Sequence, residues 1–424
     1  MSRYFVYIAV LLFPLLSYGV AKTEAEIKSI TKDRMQHLHE FYLDLHEHPE
    51  LSGAETRTAG KVAEELRALG YQVIEHIGGT GLAAILKNGD GPTTLVRSEL
   101  DALPVPEDTG VDFKSKTPGV MHACGHDLHM TALVGTAYAL AKLKDSWRGT
   151  VVFIGQPAEE TVEGARAMIK DGLFKKIPKP DTLLALHVTG MRPQGQVGYT
   201  PGDALANVDT LIVKFIGRGT HGSAPYKGVD PFIMSAEFTL SLQTLIGREV
   251  DPLKHAVISI GSIHGGTKSN IIPDDVTMQL TVRSYDADVR KLLLKRITEI
   301  AEGIAKTNKG SQPIINHPEE SIAVRNDLKL AARIGETFNQ VFGKDRVAIV
   351  DPVMGSEDFS YFAEEIKVPS LFFWIGTQTQ KENPPINHSP RYLPAFTPTA
   401  ETSIVAMTSA VLDLNGPKVQ AAAK

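Results

Sequence analysis

Val276-Thr277-Met278-Gln279-Leu280-Thr281-Val282 alternates apolar and polar side chains without a break, as a strand with one buried and one wet face does. Outward from it, Val208 to Phe215 alternates likewise, Asp230-Pro231 opens a helix to about Ile246, Ala256 to Ile263 is a further strand, Ala287 to Ala305 is helical, and Pro313 to Ile315 can close the set. This β-α-β-β-α-β order is that of a ferredoxin-like domain. On both sides the pattern changes. Upstream, helices at Thr23 to Leu45, Glu55 to Leu69 and Leu128 to Leu143 accompany short apolar runs at Tyr71 to Ile74, Leu82 to Leu86, Thr94 to Arg97, Val151 to Ile154 and Leu183 to Val188. Downstream come Leu328 to Phe342, Val347 to Val350, Leu371 to Ile375 and a helix from Thr399 to Leu414. Such alternation reads as an α/β sheet covered by helices, so the central domain is expected to be inserted into an α/β one.

A chain of 424 residues, 42% hydrophobic and 22% charged, can bury more than one core. Its formal net charge of -5 and lack of a Lys/Arg run leave no footprint for nucleic acid. Arg3, the apolar run Tyr4 to Leu16, and small Gly19 and Ala21 predict a signal peptide over residues 1–21. The run is shorter than the roughly 20 residues of a membrane span. The expectation is therefore export, to a periplasm or the outside, with no stable membrane association after cleavage. Cys124 is the single cysteine, which excludes an intrachain disulfide.

Chemistry is concentrated around His122-Ala123-Cys124-Gly125-His126-Asp127. Cys124 and His126 would lie about 200° apart on a helix, so they can share a metal only from a loop, for which Gly125 gives the freedom and after which Asp127 can cap a helix. A thiolate beside an imidazole suits a zinc-type ion, and a thiolate can bridge two cations. The alternative is a buried thiol beside a helix-entry histidine cluster. Glu159 and Glu160 follow the strand Val151 to Ile154, where α/β proteins place ligands. There one carboxylate can hold metal while the other takes a proton from the attacking water, although two adjacent glutamates are also a common solvated turn. His187 and His388 each follow an apolar strand and, singly, read as structural histidines. Together Cys124, His126, Glu160, His187 and His388 make five ligands, enough for two ions sharing a bridge. His221, in Gly217 to Pro225, and Asn270, in Ser269 to Pro273, sit on loops of the central domain that either face a ligand or are plain hairpins. Gly79-Thr80-Gly81 fails as a dinucleotide fingerprint because no helix follows, and neither His-Glu-x-x-His nor Gly-x-Ser-x-Gly occurs.

With these residues stand His46-Glu47-His48-Pro49-Glu50-Leu51-Ser52, Asp101-Ala102-Leu103-Pro104, Gln156 to Glu160, Ala185-Leu186-His187, Gly355-Ser356-Glu357-Asp358-Phe359 and Asn387-His388-Ser389-Pro390. In this order they resemble the dinuclear metallo-aminoacylase family of hippurate hydrolases, auxin-conjugate amidohydrolases and related carboxypeptidases, over nearly all of the chain after residue 21. The resemblance implies a zinc-peptidase-like α/β catalytic domain, residues 22–203 and 318–424, with an inserted ferredoxin-like lid, 204–317, that dimerises. It implies that Cys124 bridges two divalent ions, zinc or manganese with cobalt or nickel possible, whose shells His126, Glu160, His187 and His388 complete. Glu159 would be the general base, His221 would polarise the scissile carbonyl, Asp101 would support the metal centre, and Asn270 and Arg283 would meet the substrate carboxylate. The implied substrate is a small N-acyl amino acid or peptide. A carboxypeptidase or dipeptidase with the same machinery is the rival activity, and a metal- or solute-binding protein without turnover is the rival class. Where relatives read Arg-Ala-Asp-Met-Asp, this chain reads Arg97-Ser98-Glu99-Leu100-Asp101, which leaves the longer carboxylate of Glu99 without a role.

Overall fold

The computed structural model describes residues 22–380 and 382–416; the predicted signal peptide lies outside them. Eight strands form the main sheet, in the order Gln72–Ile77, Gly81–Asn88, Gly149–Gln156, Thr93–Glu99, Thr182–Pro193, Ser370–Gln378, Val197–Tyr199 and Val347–Ile349. The four central strands, from Gly149–Gln156 to Ser370–Gln378, run parallel. Strands Thr93–Glu99 and Gly149–Gln156 are buried at every position, because helices cover both faces and leave no wet side for polar residues to occupy. On one face the buried helix His126–Lys142 packs against Phe396–Asn415. The parallel strands Thr93–Glu99 and Gly149–Gln156 lead at their C-terminal ends into residues 100–101 and 157–160, while residues 187–188 lie within the neighbouring strand Thr182–Pro193.

The central segment forms its own antiparallel sheet, in the order Ala256–Gly265, Asp275–Ser284, Asn207–Ile216, Ile314–Ser321. Helices Pro231–Thr244 and Ala287–Thr307 pack on one face of it. The connectivity is that of the predicted ferredoxin-like lid, and Met278, Leu280 and Val282 point inward as their alternation requires.

Three local expectations change. The helix expected from Thr23 to Leu45 is Glu24–Thr31, a 3-10 turn Lys32–Arg34, and Met35–Glu47. The Thr31 hydroxyl donates to the carbonyls of Ile27 and Lys28, competing with the helical ladder where it tightens. Asp127 is not the N-cap: the helix starts at His126 behind Gly125, whose φ of 86° lies in the left-handed region. Asp127 instead takes His46 with one carboxylate oxygen. His187 lies within a strand that continues to Pro193 instead of following one. Among the described residues no helix is long and apolar enough to cross a membrane.

Candidate metal centre

The turn at Gly125 puts Cys124 on a loop and His126 on the first turn of a buried helix, which lets both side chains face the sheet's C-terminal edge. Cys124 Sγ lies 3.4 Å from His187 Nε2 and 3.3 Å from His388 Nε2. Cys124, Glu160 and His388 form one close group, and His126, Glu159 and Glu160 another. His126 Nε2 is 3.9 Å from an oxygen of each glutamate, and His388 Nε2 is 3.6 Å from Glu160. The five residues proposed as ligands therefore converge, with Cys124 between two histidines and Glu160 between His126 and His388. The turn that carries His388 is docked on the Cys124 loop. His388 N–H donates to the Ala123 carbonyl, and the Asn387 amide donates to the carbonyls of Cys124 and Val188.

The tautomers of His126 and His187 follow from their outer nitrogens. His126 Nδ1 donates to the Asp101 carbonyl at 2.8 Å and His187 Nδ1 to that of Val188 at 2.7 Å, so the Nε2 lone pairs face inward. His126 Nε2 and Glu160 Oε1 are buried without a hydrogen-bond partner. Burial, then the nearby carboxylates of Glu160, Glu159 and Glu99, pushes the Cys124 thiol far above its ordinary range. Burial and the repulsion of Glu357 and Glu160 push Glu159 up, and burial does the same to Glu160. Burial opposes protonation of His126, but Asp101, Glu99 and Glu160 raise it to about 10. Thiol, carboxylates and outward-anchored imidazoles with orphaned inner atoms fit divalent cations, whose charge relieves this crowding of anions.

Behind the ligands lies a buried ionic layer. Arg97 pairs with Glu99, with Glu357 at 2.6 Å and with Asp358 at 3.2 Å, while its Nε donates to Gln156 at 2.8 Å. Glu99 also accepts from His129 Nδ1 at 2.8 Å, and His129 Nε2 accepts the Val188 N–H at 2.9 Å. Both His129 nitrogens are thus engaged, so His129 holds the strand beside His187 and has no lone pair for a cation. The longer Glu99 spans Arg97 and His129, which gives that departure a role. Glu159 also shares a close group with Glu357 and Asp358. Asp101 Oδ2 accepts the Glu160 N–H at 2.9 Å and the Ser52 hydroxyl at 2.7 Å.

The lid residues stand elsewhere. His221 and Asn270 are neighbours, because Thr220–His221 pairs with Ile271–Ile272 and Gly222 N–H donates to the Asn270 carbonyl. Both are exposed, and the contacts of His221 Nδ1 are with Ser223. Arg283 is half-buried where the lid meets the main body, donating to the Met354 carbonyl at 2.6 Å. Sequence reasoning gave no individual role to Arg97, Gln156 or Asn387, although each stands in a motif quoted above, and it passed over His129, whose signal was its place three residues beyond His126 on the same helical face.

The model of peptidase family M20/M25/M40 matches residues 95–407. "Thermostable carboxypeptidase 2" of Saccharolobus solfataricus is 39% identical over 352 residues, covering 80% of this chain and 85% of that one. The hippurate hydrolase of Campylobacter jejuni is 38% identical over 330 residues, covering 77% and 85%. A solved dinuclear metal-binding peptidase of the M20 family from Bacillus subtilis superposes with a TM-score of 0.76 at 30% identity, covering 90% of this chain and 99% of that one.

Proposed function

Because the chain belongs to peptidase family M20/M25/M40 and is a metal-dependent amide hydrolase, we propose that it cleaves the amide bond of N-acyl amino acids at a dinuclear centre. The observation that carries the dinuclear reading is Cys124 Sγ standing between His187 and His388 with Glu160 on its flank. Cys124 would bridge, with His126, Glu160, His187 and His388 completing the two shells; zinc and manganese suit this mixture of sulfur, imidazole and carboxylate. When bound, the cations polarise the scissile carbonyl and make the attacking water acidic.

The protein's own groups do the rest. Glu159, next in sequence to the ligand Glu160 and grouped with Glu357 and Asp358, takes the proton of the attacking water and returns it to the leaving amine. Asp101 holds His126 and Glu160 in place. His221 donates to the oxyanion when the lid is over the substrate, and Asn270 and Arg283 meet the substrate carboxylate. A homodimer through the lid is supported by its open edge strand Ala256–Gly265, with Val257 and Ile263 exposed, and by exposed Ile233 and Leu240 on the helix Pro231–Thr244. Export to a periplasm or beyond rests on the apolar run after Arg3.

The 39% identity to a carboxypeptidase supports peptide cleavage by the same machinery as the second reading. Metal-loaded protein assayed on N-acetyl amino acids, N-benzoyl amino acids and dipeptides decides between them. Faster turnover of the N-acyl substrates is expected. Preference for dipeptides would establish the peptidase reading, and no hydrolysis of any of them would refute both.

A further inference from the structure

The carboxylates of Glu159 and Glu160 are aimed by a short turn whose backbone is unusual. Ala158 has φ 49° and Val162 φ 60°, conformations that a Cβ disfavours. The turn is closed by Val162 N–H on the Glu159 carbonyl at 2.7 Å and by the N–H groups of Glu163 and Gly164 on the Ala158 carbonyl. Gly164 is required there, since a Cβ on it would fall 1.6 Å from the Pro157 carbonyl oxygen. These bonds close the turn on itself without fixing it to the rest of the molecule.

Two carboxylates fix it. Asp101 takes the Glu160 N–H. On the other side of Glu159, Glu55 Oε1 accepts the Ala158 N–H at 2.8 Å. Glu55 is fully buried, and no cation pairs with it among the described residues. Its remaining partners are the Gly53 N–H at 2.7 Å and the Thr80 hydroxyl at 2.6 Å. It is itself anchored: the side chain of neighbouring Glu50 accepts the first free amides of the helix Thr56–Ala68, from Arg57 and Thr58, and the Glu50 carbonyl accepts Ala102 N–H.

We propose that Glu55 is a positioning residue for amide hydrolysis, holding Ala158 in its left-handed conformation so that Glu159 faces the attacking water and Glu160 the metal. This rests on the roles given above to Glu159 and Glu160. Displacing a reacting group by about 1 Å costs on the order of 100-fold in rate. Without Glu55 the left-handed turn has no outside support on its Ala158 side. Every partner of Glu55 is a neutral donor, so the task is one of hydrogen bonding. A glutamine can perform it, its oxygen accepting both amides and its NH2 donating to Thr80.

The test uses the full chain at saturating manganese, with metal content, kcat and KM measured for Glu55→Ala, Glu55→Gln, Ala158→Gly and the double variant Glu55→Ala/Ala158→Gly. Glu55→Ala should keep its metal and KM while kcat falls on the order of 100-fold. Glu55→Gln should stay within about threefold of the parent kcat. The double variant should recover about tenfold of the loss, because glycine adopts the left-handed turn unaided. If Glu55→Ala is insoluble, Thr80→Val, which loosens the same carboxylate, should lower kcat with metal retained and be relieved by Ala158→Gly. An unchanged kcat in Glu55→Ala, a Glu55→Gln as impaired as Glu55→Ala, or no relief by glycine would overturn the proposal. Glu159→Ala run alongside separates the two levels. If it retains turnover the reading of the centre fails, and if it is inactive while Glu55→Ala is not, only the positioning role fails.

Discussion

His46 gives a sharp prediction about stability and its dependence on pH. Its ring is buried between Asp127, with Nδ1 at 2.7 Å from the carboxylate, and Glu107, with Nε2 at 3.3 Å. Burial opposes the charged imidazolium, but the two carboxylates overcome it and raise the group from 6.5 to about 9. A tenfold change in a proton equilibrium is about 1.4 kcal/mol, so the raised value corresponds to about 3 kcal/mol of folding stability. The sign follows from the direction. The imidazolium binds its proton more tightly in the folded chain, so the full contribution is present below pH 6.5 and is lost as pH rises through about 9. At pH 7.5 about 2 kcal/mol remains, and by pH 10 almost none. Glutamine in its place keeps much of the volume and the hydrogen bonding but removes the charge. Urea unfolding of metal-loaded wild type and His46→Gln at pH 6, 7.5 and 10 should therefore give a stability difference that shrinks in that order. A difference that is flat or grows with pH would refute the reasoning.

Other perturbations act on the centre itself. Glu159→Gln should retain its metal content and lose turnover by on the order of 100-fold or more, measured on the best N-acyl substrate; full activity would remove Glu159 from its role. Cys124 should alkylate readily only after chelation, because a thiolate held by cations is shielded; equal labelling with and without chelator, followed by mass spectrometry, would count against the bridge. Ile233→Asp with Leu240→Asp should convert a lid-mediated dimer to a monomer by analytical ultracentrifugation, while leaving the main body folded. An unaltered sedimentation coefficient would place any dimer contact elsewhere.

The lid was readable from sequence because its strands have one wet face, so Met278, Leu280 and Val282 announce their period directly. The central parallel strands are buried on both sides, and their order in the sheet was not readable, since a uniform apolar run carries no register. Within the centre, side chains on recognisable motifs were legible: Cys124, His126, Glu159, Glu160, His187 and His388. Of their supports, Asp101 was legible, and Glu55 and His129 were not. Glu55 and His129 act through hydrogen bonds to backbone amides of Ala158 and Val188, distant in sequence, and nothing in a linear pattern encodes such a meeting. Asp127 misled for a related reason: a helix-start aspartate normally caps, but here His46 from another helix engages its carboxylate.

The central claim is that Cys124 lies between two cations. Anomalous diffraction from crystals of the manganese- or zinc-loaded protein tests it most directly. The account predicts two peaks flanking Cys124 Sγ, one beside His126 or His187 and the other toward His388. A single peak, or two that do not share the Cys124 sulfur, would contradict it.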